Sequence, residues 1–314
     1  MSKYFLGVDG GGTKTAALLT DEDGQPLGRG IAAGSNHLRV GIESATSNIE
    51  RAVNIALVEA GIAHRQIEYA YCGIAGSDHP EHHDRVVESL RVFFPRGNFI
   101  VDTDARIALT GAVGFGPGIV IIAGTGSVAF GRSTTGEEAR AGGWGPTIGD
   151  EGSGYAIARQ GLAAIARAHD GRGEPTRMTD LLCNQYQMCD PVDLPRFVYA
   201  TSTRTDDIAR YGKLVVEAAQ AGDGVALDIL DDAGRELGEC VLAVVRRLGL
   251  ANESFPVAYV GGAFKAGDLL IEPMRRTIES VAPKASLAPP ARTPVEGAAQ
   301  MAVRAWQNPR PERV

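Results

Sequence analysis

The 314-residue chain contains only four cysteines and has no long apolar run. The cysteines form no C-x-x-C pair and have no zinc-site spacing, so we expect free thiols, a reducing compartment and therefore a cytoplasmic protein. The N-terminus lacks the basic region and apolar core of a signal peptide, and no run of about 18 apolar residues predicts a membrane span. The net charge of −7 disfavours nucleic acids and anionic membranes as partners.

Motifs of several common enzyme classes are also absent. No G-x-S-x-G elbow predicts a serine hydrolase, and no G-x-x-x-x-G-K-[ST] loop opens a helix as in Walker-type nucleotide sites. Three of the six histidines lie in one run, residues 79–83 (HPEHH), for which a solvated loop and helix start is a better interpretation than a metal site. The composition is otherwise that of a globular protein long enough for two domains, and its 40 glycines suit a nucleotide site built from loops.

The most informative stretch is residues 7–15, which read GVDGGGTKT between two apolar runs. Consecutive glycines allow positive φ and close approach of a ligand, and successive N–H groups form an anion site. A turn at residues 21–24 predicts that this loop joins strand to strand, and the alternative is a glycine-rich hairpin without a ligand. We expect Asp9 to hold Mg²⁺, directly or through water, and Thr15 to add a hydroxyl. The residues expected to bind phosphates are Gly10, Gly11, Gly12, Thr13 and Lys14.

The same pattern recurs twice more. The apolar run 119–123 is followed by Gly-Thr-Gly-Ser and a second short run at 128–131, so strand, turn and strand are repeated. A strand-like run at 257–260 ends in two glycines, which permit the approach of a flat ligand such as adenine. Taken alone, that last pattern is better explained as an ordinary strand-to-helix turn. The nucleotide-binding residues expected in these two places are Gly124, Thr125, Gly126, Gly261 and Gly262.

In this order, the stretches DGGGTKT, GTGS and VGG resemble the two phosphate loops and the adenosine loop of the sugar kinase/Hsp70/actin superfamily. The run 141–154, AGGWGPTIGDEGSG, is similar to the BadF/BadG/BcrA/BcrD-type ATPases and the N-acetylglucosamine kinases grouped with them. The resemblance covers nearly the whole chain and is weakest between residues 171 and 206. It implies an α/β protein with two duplicated ribonuclease H-like (actin-like ATPase) domains, a cleft between them, and ATP with Mg²⁺ as cofactors.

Periodicity gives a coarse element order that agrees with an α/β protein. In the first half, strands are predicted at 4–8, 15–20, 27–32, 68–74 and 98–102, and helices at 42–60 and 85–94. In the second half, which begins near 116–118, helices are predicted at 151–169, 207–221, 223–248 and 267–281. A last helix at 295–306 is expected to cross back, as the resemblance implies. The predicted domains are therefore 1–113 plus 296–314, and 114–295.

A carboxylate follows the predicted strand 98–102, where open α/β sheets bind their ligands. A sugar hydroxyl has a high pKa and benefits from a positioned base during phosphoryl transfer. Asp104 matches the family's catalytic aspartate, and Asp102 is its local rival. The alternative is that Asp104 only caps the helix that begins at Ala105.

Other polar and aromatic residues suit a sugar. The amide of Asn36 offers one acceptor and two donors for vicinal hydroxyls, although a loop asparagine alone is better explained as turn support. An indole between two glycines, Trp144, suits the apolar face of a sugar, the alternative being a partly buried structural tryptophan. Asp150 is expected to bind sugar and Glu151 to order the loop, although the sequence does not separate them. The expected substrate-binding residues are Asn36, Asp104, Ser127, Gly143, Trp144 and Asp150.

These features predict an ATP-dependent kinase that phosphorylates the 6-hydroxyl of N-acetylglucosamine, acts on a small-molecule sugar and forms a homodimer. Thr125 and Ser127 are expected to donate to the transferring phosphoryl group or to the sugar. Acidic groups in the site rank glucosamine second and N-acetylmuramic acid third, unless Arg39 compensates its carboxylate. One alternative is an activator ATPase of an acyl-CoA dehydratase or reductase system, which needs a cluster-binding cysteine pair, and Cys183 and Cys189 are poorly spaced for it. The other is a non-catalytic sugar sensor, for whose usual DNA-binding module the sequence leaves no room.

Overall fold

The computed structural model describes residues 3–187 and 190–308. Cys189 therefore lies outside the described residues, and the spacing of Cys183 and Cys189 is not tested. Contacts divide the chain into two compact units, unit 1 within Met1–Phe115 and Pro290–Val314, and unit 2 within Gly116–Pro289. The domain boundaries at 113 and 295 stay a prediction. Among the described residues, no helix combines the length and the apolar character that a membrane span requires.

Unit 1 contains a five-stranded mixed sheet. Its strands are β1 (Tyr4–Gly10), β2 (Lys14–Thr20), β3 (Pro26–Ala33), β4 (Ile67–Ile74) and β5 (Phe99–Asp102). Its first helices are α1 (His37–Val40), α2 (Ile42–Ala60), α3 (Pro80–Arg91) and α4 (Asp104–Val113). The strand order is β3-β2-β1-β4-β5, in which β1, β2 and β3 pair antiparallel and β4 and β5 join β1 in parallel.

Small residues let α2 lie directly on β3. A Cβ at Gly28 or Gly30 would collide with the carbonyl oxygen of Ala56 or Ala52 on the helix. The helix predicted at 85–94 was wrong at both ends, because α3 begins at Pro80 and ends at Arg91. Proline favours the first position of a helix, since its missing N–H would have no intrahelical partner there. The predicted bounds 85–94 left out this signal, although residues 79–83 were interpreted as a loop and helix start.

Unit 2 repeats the topology of unit 1. Its strands are β6 (Gly118–Ala123), β7 (Ser127–Arg132), β8 (Glu138–Gly142), β9 (Phe255–Val260) and β10 (Ala285–Ala288), in the order β10-β9-β6-β7-β8. As in unit 1, the first strand has an antiparallel meander on one side and two parallel strands on the other. The predicted α/β class with two related halves is confirmed.

Helices cover the sheet of unit 2. They are α5 (Gly154–His169), α6 (Met178–Tyr186), α7 (Leu194–Val198), α8 (Thr205–Ala209), α9 (Gly212–Gln220), α10 (Gly224–Leu248) and α11 (Asp268–Glu279). The single helix predicted at 207–221 was wrong, because α8 ends at Ala209 and α9 begins at Gly212. The last helix of the chain, α12 (Pro294–Gln307), packs against α4 and β1 in unit 1, where Gly7 and Gly111 leave room for its backbone.

Candidate active site

The glycine-rich stretch of unit 1 forms a β-hairpin turn. Gly10 and Thr15 are partners in the antiparallel pair β1–β2, and the N–H of Gly11 donates to the carbonyl oxygen of Lys14 at 3.0 Å. The predicted connection of strand to strand is therefore confirmed. Thr13 and Lys14 are exposed at the tip, where a ligand can reach them.

Close packing, and not positive φ, distinguishes Gly10 and Gly12, so the expectation of positive φ was wrong. Neither Gly10, Gly11 nor Gly12 has a positive φ. A Cβ on Gly10 would lie 2.5 Å from Ser35 Oγ, and one on Gly12 would lie 2.9 Å from Arg39 Nη1. The turn therefore packs tightly against the loop that carries Ser35 and Arg39.

Thr15 does not offer its hydroxyl to a ligand, contrary to expectation. Its side chain is fully buried, with Oγ1 at 2.7 Å from the carbonyl oxygen of Ala33 and 2.9 Å from Ser35 Oγ. A hydroxyl has one proton to donate, and these contacts use it. Thr15 therefore fixes the base of the hairpin to β3.

Asp9 lies one residue before the turn, in a place that disfavours its charge. Burial and the negative charge of Asp104 together raise its pKa to about 6, although the positive charge of Lys14 opposes both effects. Two carboxylates that repel each other in a poorly solvated place suit a hard divalent cation. The described residues contain no group of three or more such side chains that could hold a metal ion by itself. This arrangement fits Mg²⁺, which protein carboxylates commonly hold together with substrate phosphates.

The structure separates Asp102 from Asp104. The carboxylate of Asp102 accepts from Arg106 Nη1 at 2.7 and 2.9 Å, from the N–H of Thr103 at 2.7 Å, and from the hydroxyl of Tyr71. Burial and this carboxylate raise the pKa of Tyr71. Asp102 is thus an anchor between β5, β4 and α4.

Asp104 occupies the first residue of α4 and is half-buried. The N-cap of this helix is Thr103, whose hydroxyl accepts from the N–H of Arg106 at 3.4 Å. Thr103 therefore takes the N-cap position expected for Asp104, although the Asp104 carboxylate also accepts from the N–H of Ala105 at 3.0 Å. Its carboxylate lies near the carboxyl end of β5 and is coupled electrostatically to Asp9.

Asn36 connects the hairpin to α1. Its backbone N–H and that of Ser35 both donate to the carbonyl oxygen of Gly11, at 3.2 and 3.0 Å. Its side-chain Oδ1 caps α1 by accepting from the N–H of Leu38 at 3.1 Å. Turn support is therefore one role of Asn36. Within residues 3–187 and 190–308 its Nδ2 has no protein hydrogen-bond partner, so this amide can still donate to a ligand.

The second glycine-rich turn, in unit 2, joins β6 to β7. The N–H of Gly124 donates to the carbonyl oxygen of Gly126 at 2.9 Å, and a Cβ on Gly124 would meet open space. Ser127 is buried and its hydroxyl donates to the carbonyl oxygen of Glu151 at 2.6 Å, which leaves it only acceptor capacity. The hydroxyl of Thr125 donates to Asp206 Oδ1 at 2.5 Å.

Asp206 was missed by the sequence analysis. It lies 81 residues from Thr125, inside the stretch where the family resemblance is weakest, and no local pattern marks it. The histidine run at 79–83 lies, as predicted, in a loop and at the start of α3, where His83 Nε2 lies 3.2 Å from the carbonyl oxygen of Val101.

Asp150 orders the loop beside this turn. It is buried and has a φ of +59°, which is uncommon for a residue with a side chain. Burial raises its pKa, while the N–H groups of Ser127 and Gly145 donate to it and oppose that rise. A Cβ on Gly126 would lie 2.7 Å from its Oδ2, which explains that glycine. The side chain of Glu151 is exposed, so the ordering role expected of Glu151 comes from its main chain and from Asp150.

Trp144 is not a core residue. It is 73% exposed, between Gly143 at a φ of +71° and Gly145 at a φ of +87°. The alternative of a partly buried structural tryptophan is therefore wrong. The loop is held by Arg140, whose Nη2 donates to the carbonyl oxygen of Gly143 at 2.9 Å.

The third glycine-rich site, Gly261 and Gly262, lies beside the second turn. Strands β6 and β9 are parallel neighbours, so their carboxyl ends meet at one edge of the sheet in unit 2. Gly261 has a φ of +122°, and a Cβ there would collide with the carbonyl oxygen of Ala123. A Cβ on Gly262 would meet nothing within 4 Å, so the backbone here is open to a flat ligand. A short 3₁₀ helix, Gly262–Ala266, follows, so the strand-to-helix interpretation also holds.

Known proteins are similar to this chain in sequence. The BadF/BadG/BcrA/BcrD ATPase family model matches residues 6–302. The chain is 32% identical over 290 residues to the N-acetylmuramic acid/N-acetylglucosamine kinase of Clostridium acetobutylicum. This match covers 91% of this chain and 93% of the relative. It is also 32% identical over 317 residues to the N-acetyl-D-glucosamine kinase of Dictyostelium discoideum, with coverages of 96% and 99%.

Solved structures give the same result for the fold. A structure from Chromobacterium violaceum, whose assignment as an N-acetylglucosamine kinase is itself a proposal, matches 96% of this chain and 99% of its own with a TM-score of 0.79 at 27% identity. A ROK family glucokinase from Streptomyces griseus matches with a TM-score of 0.63 at 21% identity, over 96% of this chain and 99% of its own. The match over nearly the whole length, together with the two glycine turns and the strand-end aspartates, shows that the chain belongs to the BadF/BadG/BcrA/BcrD ATPase family.

Proposed function

We propose that the chain is an ATP-dependent amino-sugar kinase that transfers the γ-phosphoryl group of Mg-ATP to the 6-hydroxyl of N-acetylglucosamine. The names of both relatives at 32% identity support an amino-sugar kinase. The observation that carries the mechanism is the difference between two neighbouring aspartates. Asp102 already accepts four hydrogen bonds, whereas Asp104 lies at the strand end and is coupled electrostatically to the half-buried Asp9.

In unit 1, Asp104 is the general base. Its carboxylate accepts the proton of the sugar hydroxyl as the hydroxyl oxygen bonds to the γ-phosphorus and the bond to ADP breaks. The Nδ2 of Asn36 donates to a sugar hydroxyl. The turn at residues 10–14 binds phosphate oxygens, with the exposed side chains of Thr13 and Lys14 as donors. Asp9 would hold Mg²⁺, which neutralises phosphate charge when bound.

In unit 2, the turn at Gly124, Thr125 and Gly126 binds nucleotide phosphates, and Gly261 with Gly262 flanks the adenosine. Trp144 stacks on the apolar face of the sugar, and the exposure of its indole supports this role. Gly143, Asp150 and Ser127 are the other sugar-binding residues proposed in unit 2. The hydroxyl of Ser127 already donates to the carbonyl oxygen of Glu151, and Asp150 already accepts from the backbone N–H groups of Ser127 and Gly145. We therefore expect both side chains to contact the sugar mainly as hydrogen-bond acceptors.

N-acetylmuramic acid is a further candidate substrate, because it appears in the name of one relative and because Arg39 lies beside Gly12 of the hairpin. The buried carboxylates favour the neutral N-acetylglucosamine over it, and glucosamine ranks between the two. A homodimer and a cytoplasmic location stay predictions, which light scattering and cell fractionation test.

A coupled ADP-release assay over N-acetylglucosamine, glucosamine, N-acetylmuramic acid and glucose tests the proposal. We expect the highest kcat/KM with N-acetylglucosamine. If glucose or the muramic sugar has the highest value, the substrate assignment fails. If none of the four sugars increases ADP release above the rate without sugar, the kinase assignment fails.

A further inference from the structure

A contact from α8 occupies the second glycine-rich turn. Thr125 is the one residue of Gly124–Gly126 with a hydroxyl, and that hydroxyl donates to Asp206 Oδ1 at 2.5 Å. Both residues belong to unit 2. The contact joins a turn between two strands to a five-residue helix, 81 residues further along the chain.

The rest of the turn is held by its main chain. The N–H of Gly154 donates to the carbonyl oxygen of Gly124 at 2.8 Å, and the N–H of Tyr155 lies 3.3 Å from the carbonyl oxygen of Thr125. The start of α5 therefore fixes the backbone of the turn without Asp206. The contact from Asp206 engages the hydroxyl, not the shape of the turn.

The proton of a threonine hydroxyl can be donated to one strong acceptor at a time. A carboxylate and a phosphate oxygen are both anionic acceptors, so they exclude each other from this donor and also repel each other. A phosphate that uses Thr125 must therefore displace Asp206.

We propose that Asp206 sets the nucleotide affinity of this site by competing with a nucleotide phosphate for the hydroxyl of Thr125. The proposal rests on the proposed function, in that Thr125 belongs to the phosphate turn. It assigns to α8 a role in tuning how much Mg-ATP the enzyme needs. The opposite role, in which Asp206 helps to bind the nucleotide through Mg²⁺, predicts the opposite effect of mutation.

Titration calorimetry of Mg-ATP with the full-length chain and its Asp206→Ala and Asp206→Asn variants tests the proposal. We expect Asp206→Ala to bind Mg-ATP about 10- to 150-fold more tightly, the range of a charge-assisted hydrogen bond. Asp206→Asn removes the charge and keeps the shape, so its affinity should lie between those of Asp206→Ala and the native chain. Unchanged or weaker binding by both variants would overturn the proposal.

Two controls separate competition for the hydroxyl from a general loss of negative charge. Asp207 carries the same charge one residue away and accepts instead from the N–H of Arg204 at 3.0 Å, so Asp207→Asn should change the affinity less than about twofold. In a Thr125→Val background, Asp206→Ala should bring no further gain, and an equal gain there would contradict the competition. Absence of Mg-ATP binding by the native chain would instead refute the proposed function.

Discussion

Replacement of Asp104 by Asn, compared with the same change at Asp102, tests the assignment of the base. Asp104→Asn removes the proton acceptor and keeps nearly the same volume. Loss of a general base lowers rates by about 10²–10⁴, which corresponds to about 3–5.5 kcal/mol of activation free energy. Because Asp104 is not the N-cap of α4, the fold should be retained.

The matched variant, Asp102→Asn, should behave in the opposite way. It loses the charge that pairs with Arg106 at 2.7 Å, in a pair whose side chains are 11% and 38% exposed. We expect a loss of about 1–2 kcal/mol in the free energy of unfolding, because the arginine stays partly solvated. Turnover should fall less than tenfold, since the carboxylate is saturated by structural partners.

Steady-state kinetics measure the turnover of both variants, and calorimetry measures their affinities for Mg-ATP and the sugar. Asp104→Asn should keep its affinity for Mg-ATP and for the sugar within a few fold, so that the loss appears in kcat. Urea unfolding reports the stability of Asp102→Asn. Turnover of Asp104→Asn within threefold of the native value would refute Asp104 as the base, and a folded Asp102→Asn with the larger loss would move the role to Asp102.

Three further predictions concern the binding residues. Asp9→Asn should raise the free energy of unfolding at pH 7 without Mg²⁺ by at most about 3 kcal/mol, since the pKa of Asp9 rises from 3.8 to about 6 on folding and each pKa unit corresponds to about 1.36 kcal/mol. Because Asp9 binds its proton more strongly in the folded than in the unfolded chain, the native protein should become more stable relative to the variant as the pH falls from about 6 to about 4. A stability difference between native and variant chains that does not change over that range would contradict this prediction. Gly11→Val should fold, because its Cβ would meet only the Lys14 carbonyl oxygen at 3.3 Å, yet bind Mg-ATP at least about tenfold more weakly in calorimetry, and unchanged affinity would make the hairpin purely structural. Trp144→Ala should raise the KM for the sugar about tenfold without lowering the melting temperature, whereas Ile148→Ala, which is equally exposed at 73%, serves as the control and should leave the KM unchanged.

The two glycine turns were predictable because each is a short-range pattern. An apolar run of strand length, a glycine turn and a second run specify a hairpin within about 15 residues, and both β1–β2 and β6–β7 formed as expected. The reason for the glycines in the first turn was not predictable. It depends on Ser35 and Arg39, which approach the turn only in the folded chain.

The difference in contacts between Asp102 and Asp104 also depends on the fold. Both aspartates follow the same strand, and only the positions of Tyr71 and Arg106 show that Asp102 is an anchor. Likewise, nothing near residue 206 indicates a partner at residue 125, because tertiary contacts between distant segments leave no local periodicity. The start of α3 is different, since Pro80 is a local signal for the first turn of a helix.

The most direct test of the central claim is phosphorus NMR of a reaction mixture that contains the native chain, Mg-ATP and N-acetylglucosamine. The account predicts one equivalent of sugar 6-phosphate for each equivalent of ADP, with the signal lost in Asp104→Asn. ADP that accumulates with inorganic phosphate and without a phosphosugar would contradict it.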